Sequence, residues 1–147
     1  MITKICSDLE QFILDKCRDQ GCRLKGIPGT HIILDGDELL KTVKSCDCII
    51  FEDPYNHEVV LVECKSSMQS VSAIEQKFQN SSDFVKEIID KYCENPLGPE
   101  LYCILLTKGG GIRPTDMKKL HKVRIRCYNR YFNIDPYHSG CFYHEIK

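Results

Sequence analysis

The 147-residue chain lacks the features that mark membrane-spanning proteins, secreted proteins and zinc ribbons. No apolar run approaches the roughly 20 residues that a helix needs to cross a bilayer. The first residues, Met1 to Asp8, have no signal-peptide core. We therefore expect an intracellular, cytoplasmic protein with no membrane partner.

Cysteine is abundant, yet its usual metal-binding spacing is missing. None of the 10 cysteines forms a Cys-x-x-Cys pair, which argues against a zinc ribbon or an iron–sulfur cluster. Most lie at apolar positions, where a thiol behaves as a small hydrophobe. One suggestive spacing remains, His138-x-x-Cys141-x-x-His144, and it fits either a zinc site or a loosely packed tail.

Net charge is also nearly absent, at −1 for the whole chain, so overall charge says nothing for or against nucleic acid. The composition, 42% hydrophobic and 28% charged, is that of an ordinary globular protein. A chain of this length suits one domain over residues 1–147, burying about 68–70% of the surface that the unfolded chain exposes.

The most informative stretch is a pair of apolar segments, Cys46 to Phe51 and Glu58 to Lys65, separated by a turn signal at residues 53–56. Both segments read as strands. In the second strand, alternation places Glu63 and Lys65 on the face of Val59 and Leu61. The other face carries Val60, Val62 and Cys64.

Asp47 opens the first of these strands, so antiparallel pairing would bring it beside Glu63. Burying two carboxylates and an ammonium costs several kcal/mol unless they pair or bind a metal. Two interpretations are therefore open: a structural Glu63–Lys65 ion pair, or a site that binds a cation.

The remaining elements predict alternating helices and strands. Apolar spacing predicts an amphipathic helix over residues 2–20 and a second helix from Ser70 to Cys93. His31 to Leu34 is a strand, followed by a turn at residues 35–37. Leu101 to Thr107 has the continuous apolar character of a buried parallel strand, and a short helix from Pro114 follows it.

In the arrangement of Asp47, the turn and the strand ending Glu63-Cys64-Lys65, the chain resembles the PD-(D/E)xK nuclease superfamily. The resemblance implies an α/β fold, with a restriction endonuclease-like αβββαβ core and a mixed central β-sheet flanked by helices. It also implies that Asp47, Glu63 and the Cys64 carbonyl bind Mg²⁺ or Mn²⁺, hard ions that prefer oxygen ligands. Lys65 would orient or deprotonate the attacking water.

The same resemblance suggests two further site residues. Relatives often carry an additional metal-binding Glu on the first helix, and Glu10 is the matching position; a surface Glu is the alternative. Several relatives direct a Gln or Lys from the second helix to the active site, and Gln76 matches that position. At this length the chain is similar to Holliday junction resolvases and to minimal restriction-enzyme cores, although Cys46 stands where many members have Pro.

Basic residues are concentrated late in the chain. Residues 108–130 hold eight basic side chains against Asp116, a local charge of 8 − 1 = +7, which leaves −8 for the rest. A strand over residues 122–130 would align three arginines and Tyr128 on one face. Such a segment is typical of polyanion binding. The basic residues are Lys108, Arg113, Lys118, Lys119, Lys122, Arg124, Arg126 and Arg130.

These features predict a divalent-metal-dependent endonuclease that hydrolyses phosphodiester bonds, with DNA as the expected partner and RNA second. A homodimer is left open. The alternatives are a catalytically idle nucleic-acid-binding module and a protein-interaction module on the same scaffold.

Overall fold

A six-stranded mixed β-sheet forms the centre of this α/β protein, whose computed structural model describes residues 6–19, 22–52, 58–65, 70–92, 98–108 and 112–146. The strands of the sheet are β1 (Ile13–Leu14), β4 (Ile32–Asp35), β5 (Cys48–Phe51), β6 (Glu58–Lys65), β7 (Glu100–Thr107) and β10 (Ile134–His138). Two hairpins lie outside it: β2 (Cys17–Asp19) with β3 (Cys22–Leu24), and β8 (Ile125–Cys127) with β9 (Arg130–Phe132). The helices are α1 (Gly36–Leu39), α2 (Val71–Tyr92) and α3 (Pro114–Lys122), with 3-10 turns at Glu10–Phe12 and Tyr143–Ile146.

The strands lie in the order β1-β4-β5-β6-β7-β10, with antiparallel pairing as far as β6 and parallel pairing beyond it. The predicted antiparallel meander of three strands is therefore confirmed in β4, β5 and β6. Helix α2 connects β6 to β7, which runs parallel to it, as expected for a helical crossover. The predicted turn at residues 53–56 and the three glycines at 109–111 lie outside the described residues.

Strand β6 is buried on both faces, with its six residues from Val59 to Cys64 all inaccessible or nearly so. Val59 and Leu61 pack in the cluster that includes the apolar face of α2. Val60, Val62 and Cys64 pack in a second cluster, against the β2–β3 hairpin and the C-terminal 3-10 helix. The predicted assignment of residues to faces is confirmed.

Helix α2 confirms the helix predicted from Ser70 to Cys93, of which Cys93 lies outside the described residues. The side chain of Ser70 accepts a hydrogen bond from Ala73 N, and this caps the first turn. Ile74, Phe78 and Val85 form the buried stripe against the sheet. No helix among the described residues is long and apolar enough to cross a membrane.

The helix predicted over residues 2–20 is wrong over most of its length. Residues 6–8 are helical, but Glu10–Phe12 is a 3-10 turn, Ile13–Leu14 pairs with β4 as an edge strand, and Cys17–Asp19 belongs to the first hairpin. Contacts with residues distant in the sequence outweigh the weak helical preference of residues 9–19. Cys17 is fully buried and forms a disulfide with Cys48 of β5.

The strand predicted over residues 122–130 is also wrong as a single element. Tyr128 has a φ of 56°, in the left-handed region, and begins a turn that divides the segment into β8 and β9. Arg130 therefore lies on a different strand from Arg126. The hairpin is docked on α2, where Gln79 bonds both the N–H and the carbonyl of Arg126.

The turn predicted at residues 35–37 is the start of the short helix α1. Asp35 caps it by accepting a hydrogen bond from Glu38 N at 3.3 Å. Gly36 donates its N–H to Asp47 O at 3.0 Å, and a Cβ on Gly36 would lie 1.9 Å from the carbonyl oxygen of Cys46. Only glycine permits this approach, so α1 fixes the backbone on which Asp47 stands.

We predict that Gly36→Ala lowers the free energy of unfolding by about 1–3 kcal/mol, the usual cost of forcing atoms into a packed site. Alanine would ordinarily stabilise a helical position, so the sign of the change reports the clash. The matched control is Gly29→Ala, whose added Cβ meets nothing within 4 Å. Urea unfolding of both variants measures the difference, and equal stability of the two would contradict the prediction.

Candidate metal and phosphodiester site

The start of β5 and the end of β6 place two carboxylates together. The β5–β6 ladder ends at the pair of Cys48 with Val62. One residue further along each strand, Asp47 lies opposite Glu63 on the same face of the sheet. Side chains directly opposite in antiparallel strands have Cβ atoms about 4.5–5.5 Å apart. The pairing predicted for Asp47 and Glu63 therefore follows from the observed register.

Asp47 is held by the backbone of the neighbouring strand. Its Oδ2 accepts a hydrogen bond of 2.7 Å from Cys64 N, and the residue is 7% exposed. The carboxylate thus bonds to the strand just where the backbone ladder between β5 and β6 stops. This bond orients Asp47 toward the residues on either side of Cys64, which are Glu63 and Lys65.

Glu63 is completely buried, with 0% of its surface exposed. Lys77 of α2 places its Nζ 2.8 Å from Glu63 Oε2, and Lys65 Nζ lies 3.8 Å from the same oxygen. Both contacts are ion pairs whose geometry falls short of a hydrogen bond. Glu63 Oε1 has no hydrogen-bond partner among the residues that the structure describes.

The two lysines respond differently to this environment. Burial and the neighbouring Lys77 lower the pKa of Lys65 below its ordinary value. Burial also acts to lower the pKa of Lys77, but the close Glu63 carboxylate outweighs it and raises that pKa overall. Lys77 is therefore the closer counter-ion of Glu63 and holds its proton firmly, and Lys65 is the ammonium that releases its proton more easily.

Helix α2 also positions the segment that leads into Asp47. The hydroxyl of Ser81 accepts a hydrogen bond of 2.8 Å from Cys46 N, and Asn80 Nδ2 donates one of 2.7 Å to Lys44 O. Lys77 and Ser81 are four residues apart and share one face of the helix. One face of α2 therefore contacts Glu63 through Lys77 and, through Ser81, holds the backbone that leads into Asp47.

Two residues expected at the site lie elsewhere. Gln76 is one residue from Lys77 but donates to Asn80 Oδ1 on the exposed side of α2. Glu10 is exposed in the 3-10 turn and does not line the cleft next to Asp47. Lys77, rather than Gln76, is the helix residue that reaches Glu63.

The sequence did contain a signal for Lys77. Residues three or four apart in a helix share a face, and Ile74, Phe78 and Ser81 are all buried against the sheet. Lys77 is three residues after Ile74 and four before Ser81, so it must point toward the sheet. Gln76, two residues after Ile74, must point away.

Cys64 presents only its backbone to this site. Its side chain lies on the other face of β6, in contact with Cys22 of β3. The hydrogen bond with Cys64 is the largest influence on the Cys22 thiol and, against burial, lowers its pKa to about 7. Of the groups of Cys64, the carbonyl is the one expected as a metal ligand, and the thiol lies on the opposite face of the strand.

An acidic cleft of about 570 Å³ opens beside Asp47. Besides Asp47 it is lined by Leu14, Asp15, Lys16, Asp35, Asp37 and Glu38. A cleft lined mainly by carboxylates attracts cations and repels phosphate groups. This cleft is therefore unsuited to a polyanion.

The donor set suits a hard divalent cation that keeps much of its water. Asp47 and Glu63 supply carboxylate oxygens, and both oxygens of Glu63 are buried acceptors that a cation could satisfy. Within the described residues, no group of three or more His, Cys, Asp or Glu side chains could hold a metal. This finding includes the spacing of His138, Cys141 and His144 and limits side-chain ligands at the candidate site to two.

The eight basic residues separate into two groups. Four arginines are engaged: Arg113 with Asp116, Arg130 with Glu100, Arg124 with the carbonyls of His121 and Val123, and Arg126 with the carbonyl of Tyr128. The lysines Lys108, Lys118, Lys119 and Lys122 are exposed. Lys108 adjoins the site, since its N–H bonds Lys65 O at 3.1 Å.

Comparison of the chain with protein-family models, with curated proteins and with solved structures found no match.

We predict that Glu63→Gln destabilises the metal-free protein by about 3 kcal/mol, near the low end of the cost of breaking a buried ion pair. Two adjacent ammonium groups would lose their shared anion, although both keep some contact with water. Urea unfolding at pH 7 with a chelator measures the change.

The matched control is Glu100→Gln, which removes an exposed ion pair with Arg130 and should change stability by about 0.5 kcal/mol or less. A Glu63→Gln protein as stable as wild type would show that the lysines do not depend on Glu63.

Proposed function

We propose that this protein is a divalent-metal-dependent nuclease built on a restriction endonuclease-like core. The observation that carries the proposal is a fully buried Glu63, next to Asp47 at the end of a central strand, whose two carboxylate oxygens both lack a hydrogen-bond partner among the residues that the structure describes. Lys65 and Lys77 complete the group. Buried carboxylates with a missing partner are typical of cation sites.

The fold supports this proposal. Apart from the four-residue helix α1 between β4 and β5, strands β4, β5 and β6, helix α2 and strand β7 follow one another in the order βββαβ, with β7 parallel to β6. This is the order that the resemblance implies after its first helix. The first helix is the part of the αβββαβ pattern that residues 9–19 do not form.

The charges of the site favour an anionic substrate. Asp47, Glu63, Lys65 and Lys77 sum to zero, so a divalent cation would leave the site at +2. A phosphodiester carries one negative charge, and more negative charge develops on its oxygens during hydrolysis. The loaded site would therefore stabilise the transition state more than the ground state.

Each residue then has a defined task. Asp47, Glu63 and the Cys64 carbonyl would hold Mg²⁺ or Mn²⁺, which supplies charge neutralisation and a more acidic bound water. Lys65, whose pKa is lowered, would orient the attacking water as an ammonium and, in its neutral form, would accept the proton of that water. Asp47 is kept in place by the Cys64 N–H, so the site is organised before the substrate binds.

The exposed lysines indicate where nucleic acid would bind. Lys108 extends the edge of the sheet next to Lys65, and α3 carries Lys118, Lys119 and Lys122. This surface lies away from the acidic cleft, which is lined by residues of β1, α1 and the segments around them. We take duplex DNA as the substrate, with RNA as the second choice.

We predict that Asp47→Asn, Glu63→Gln and Lys65→Met each lower the rate of metal-dependent cleavage by at least about 100-fold, the usual effect of removing a positioned catalytic group. Nucleic-acid binding should remain. Cleavage of linear, branched and single-stranded DNA and of RNA is assayed with Mg²⁺ and with Mn²⁺.

Glu58→Gln, at the other end of β6, is the control and should cleave at the wild-type rate. Undiminished cleavage by Glu63→Gln would end the nuclease proposal.

We also predict that binding weakens with salt at a slope of log K against log[salt] of about −4, since four lysines each contribute about −0.9. Reversing Lys118 and Lys119 to Glu should weaken binding to all sequences and flatten the slope by about 2.

The control reverses Lys41 and Lys91, which changes net charge equally but lies outside residues 108–130. Equal losses in the two double variants would mean that net charge, rather than this surface, governs binding.

The competing function is a catalytically idle module in which Glu63 and Lys77 form a structural ion pair. The observation that favours it is the exact charge balance of the site without any metal. The effect of Mn²⁺ on the melting temperature distinguishes the two functions. Mn²⁺ should raise the melting temperature of a nuclease, because a ligand that binds the folded state stabilises it, and it should not affect an idle module.

A further inference from the structure

Among the residues that the structure describes, Lys77 carries the ammonium closest to Glu63. Its Nζ is 2.8 Å from Glu63 Oε2, whereas Lys65 Nζ is a full ångström farther at 3.8 Å. Glu63 is inaccessible to water, so no solvent cation can neutralise it without entering this contact. In the metal-free protein, the Lys77 ammonium therefore neutralises Glu63, as a bound cation would otherwise do.

The backbone that carries Lys77 is fixed. Ser81 and Asn80, on the next turn of α2, bond Cys46 N and Lys44 O, and Ile74 and Phe78 are fully buried. Any movement away from Glu63 must therefore come from the side chain of Lys77. That side chain is 18% exposed, so its ammonium has a path to solvent.

An ammonium and a divalent cation that both contact Glu63 repel each other, and this repulsion is strong where water is excluded. We propose that Lys77 is the resident counter-ion of Glu63 and gives up Oε2 to the incoming divalent cation, so that Lys77 sets the affinity of the site for metal. This inference rests on the proposed function. It assigns Lys77 a role distinct from that of Lys65, which is not the closest cation to Glu63.

The test is Lys77→Met, which removes the ammonium and keeps an apolar side chain of similar length. Affinity for Mn²⁺ is measured by calorimetric titration, and thermal melts are recorded with and without Mn²⁺. We expect the variant to melt below wild type without metal and to bind Mn²⁺ at least about tenfold more tightly, on the scale by which residues around a metal's ligands change its affinity.

Two variants serve as controls. Lys86→Met removes an exposed ammonium from the same helix, where it pairs with Asp90, and should bind Mn²⁺ as wild type does. Lys77→Arg keeps the charge and should not show the tenfold gain. A gain in Lys86→Met equal to that in Lys77→Met would overturn the proposal, since general charge removal would then explain it.

If Lys77→Met does not fold without metal, wild-type protein provides the test. The Lys77 ammonium, observed by nitrogen-15 NMR, should exchange its protons slowly without metal and rapidly once Mg²⁺ is bound. Unchanged exchange in protein saturated with Mg²⁺ would overturn the proposal.

The outcomes separate this inference from the proposed function. If wild type binds Mn²⁺ and Lys77→Met binds it equally or more weakly, Lys77 does not compete with metal and only this inference fails. If neither protein binds Mn²⁺, the metal site itself does not exist and the proposed function fails with it.

Discussion

The rest of the site depends on one constraint, a carboxylate buried without any contact with water at the end of the strand that forms the middle of the sheet. Glu63 is 0% exposed, and a buried charge of this kind is tolerated only with compensating charge nearby. Lys77 comes from the crossover helix and Lys65 from the same strand, while Ser81 and the Cys64 N–H fix the approach of Asp47. The helix, the meander and the short α1 turn are thus held together by the same group of contacts that forms the site.

Strand β6 and its partners could be predicted from the sequence because their signal is local. An apolar run with charges only at its end fixes the strand Glu58–Lys65, and a period of two fixes which face Glu63 and Lys65 share. The position of Asp47 opposite Glu63 follows from antiparallel pairing alone. The second helix, with consistent apolar spacing along its length, was predictable for the same reason.

The errors arise where distant contacts decide the structure. Ile13, Cys17 and their neighbours have helix-like spacing, but Ile13 belongs to the edge strand β1, which pairs with β4, and Cys17 is bonded to Cys48, 31 residues away. No local pattern reports a partner at that distance. The assignment of Gln76 to the site differs from the observed geometry for another reason, since Lys77 is the residue that contacts Glu63. The phase of α2 determines which of the two side chains faces Glu63, and that phase was present in the buried positions Ile74 and Ser81.

The energetics of Glu63 favour a functional interpretation over a structural one. A buried ion pair is often no more stable than apolar side chains of the same volume, and an acceptor without a partner costs about 1–3 kcal/mol more. Leucine at this position would continue the apolar character of Val59 and Leu61 on the same face without either cost. A purely structural role does not account for a carboxylate that requires two lysines and still makes no hydrogen bond within the part of the chain that the structure describes. A cation bound by this carboxylate, as we propose, would account for it.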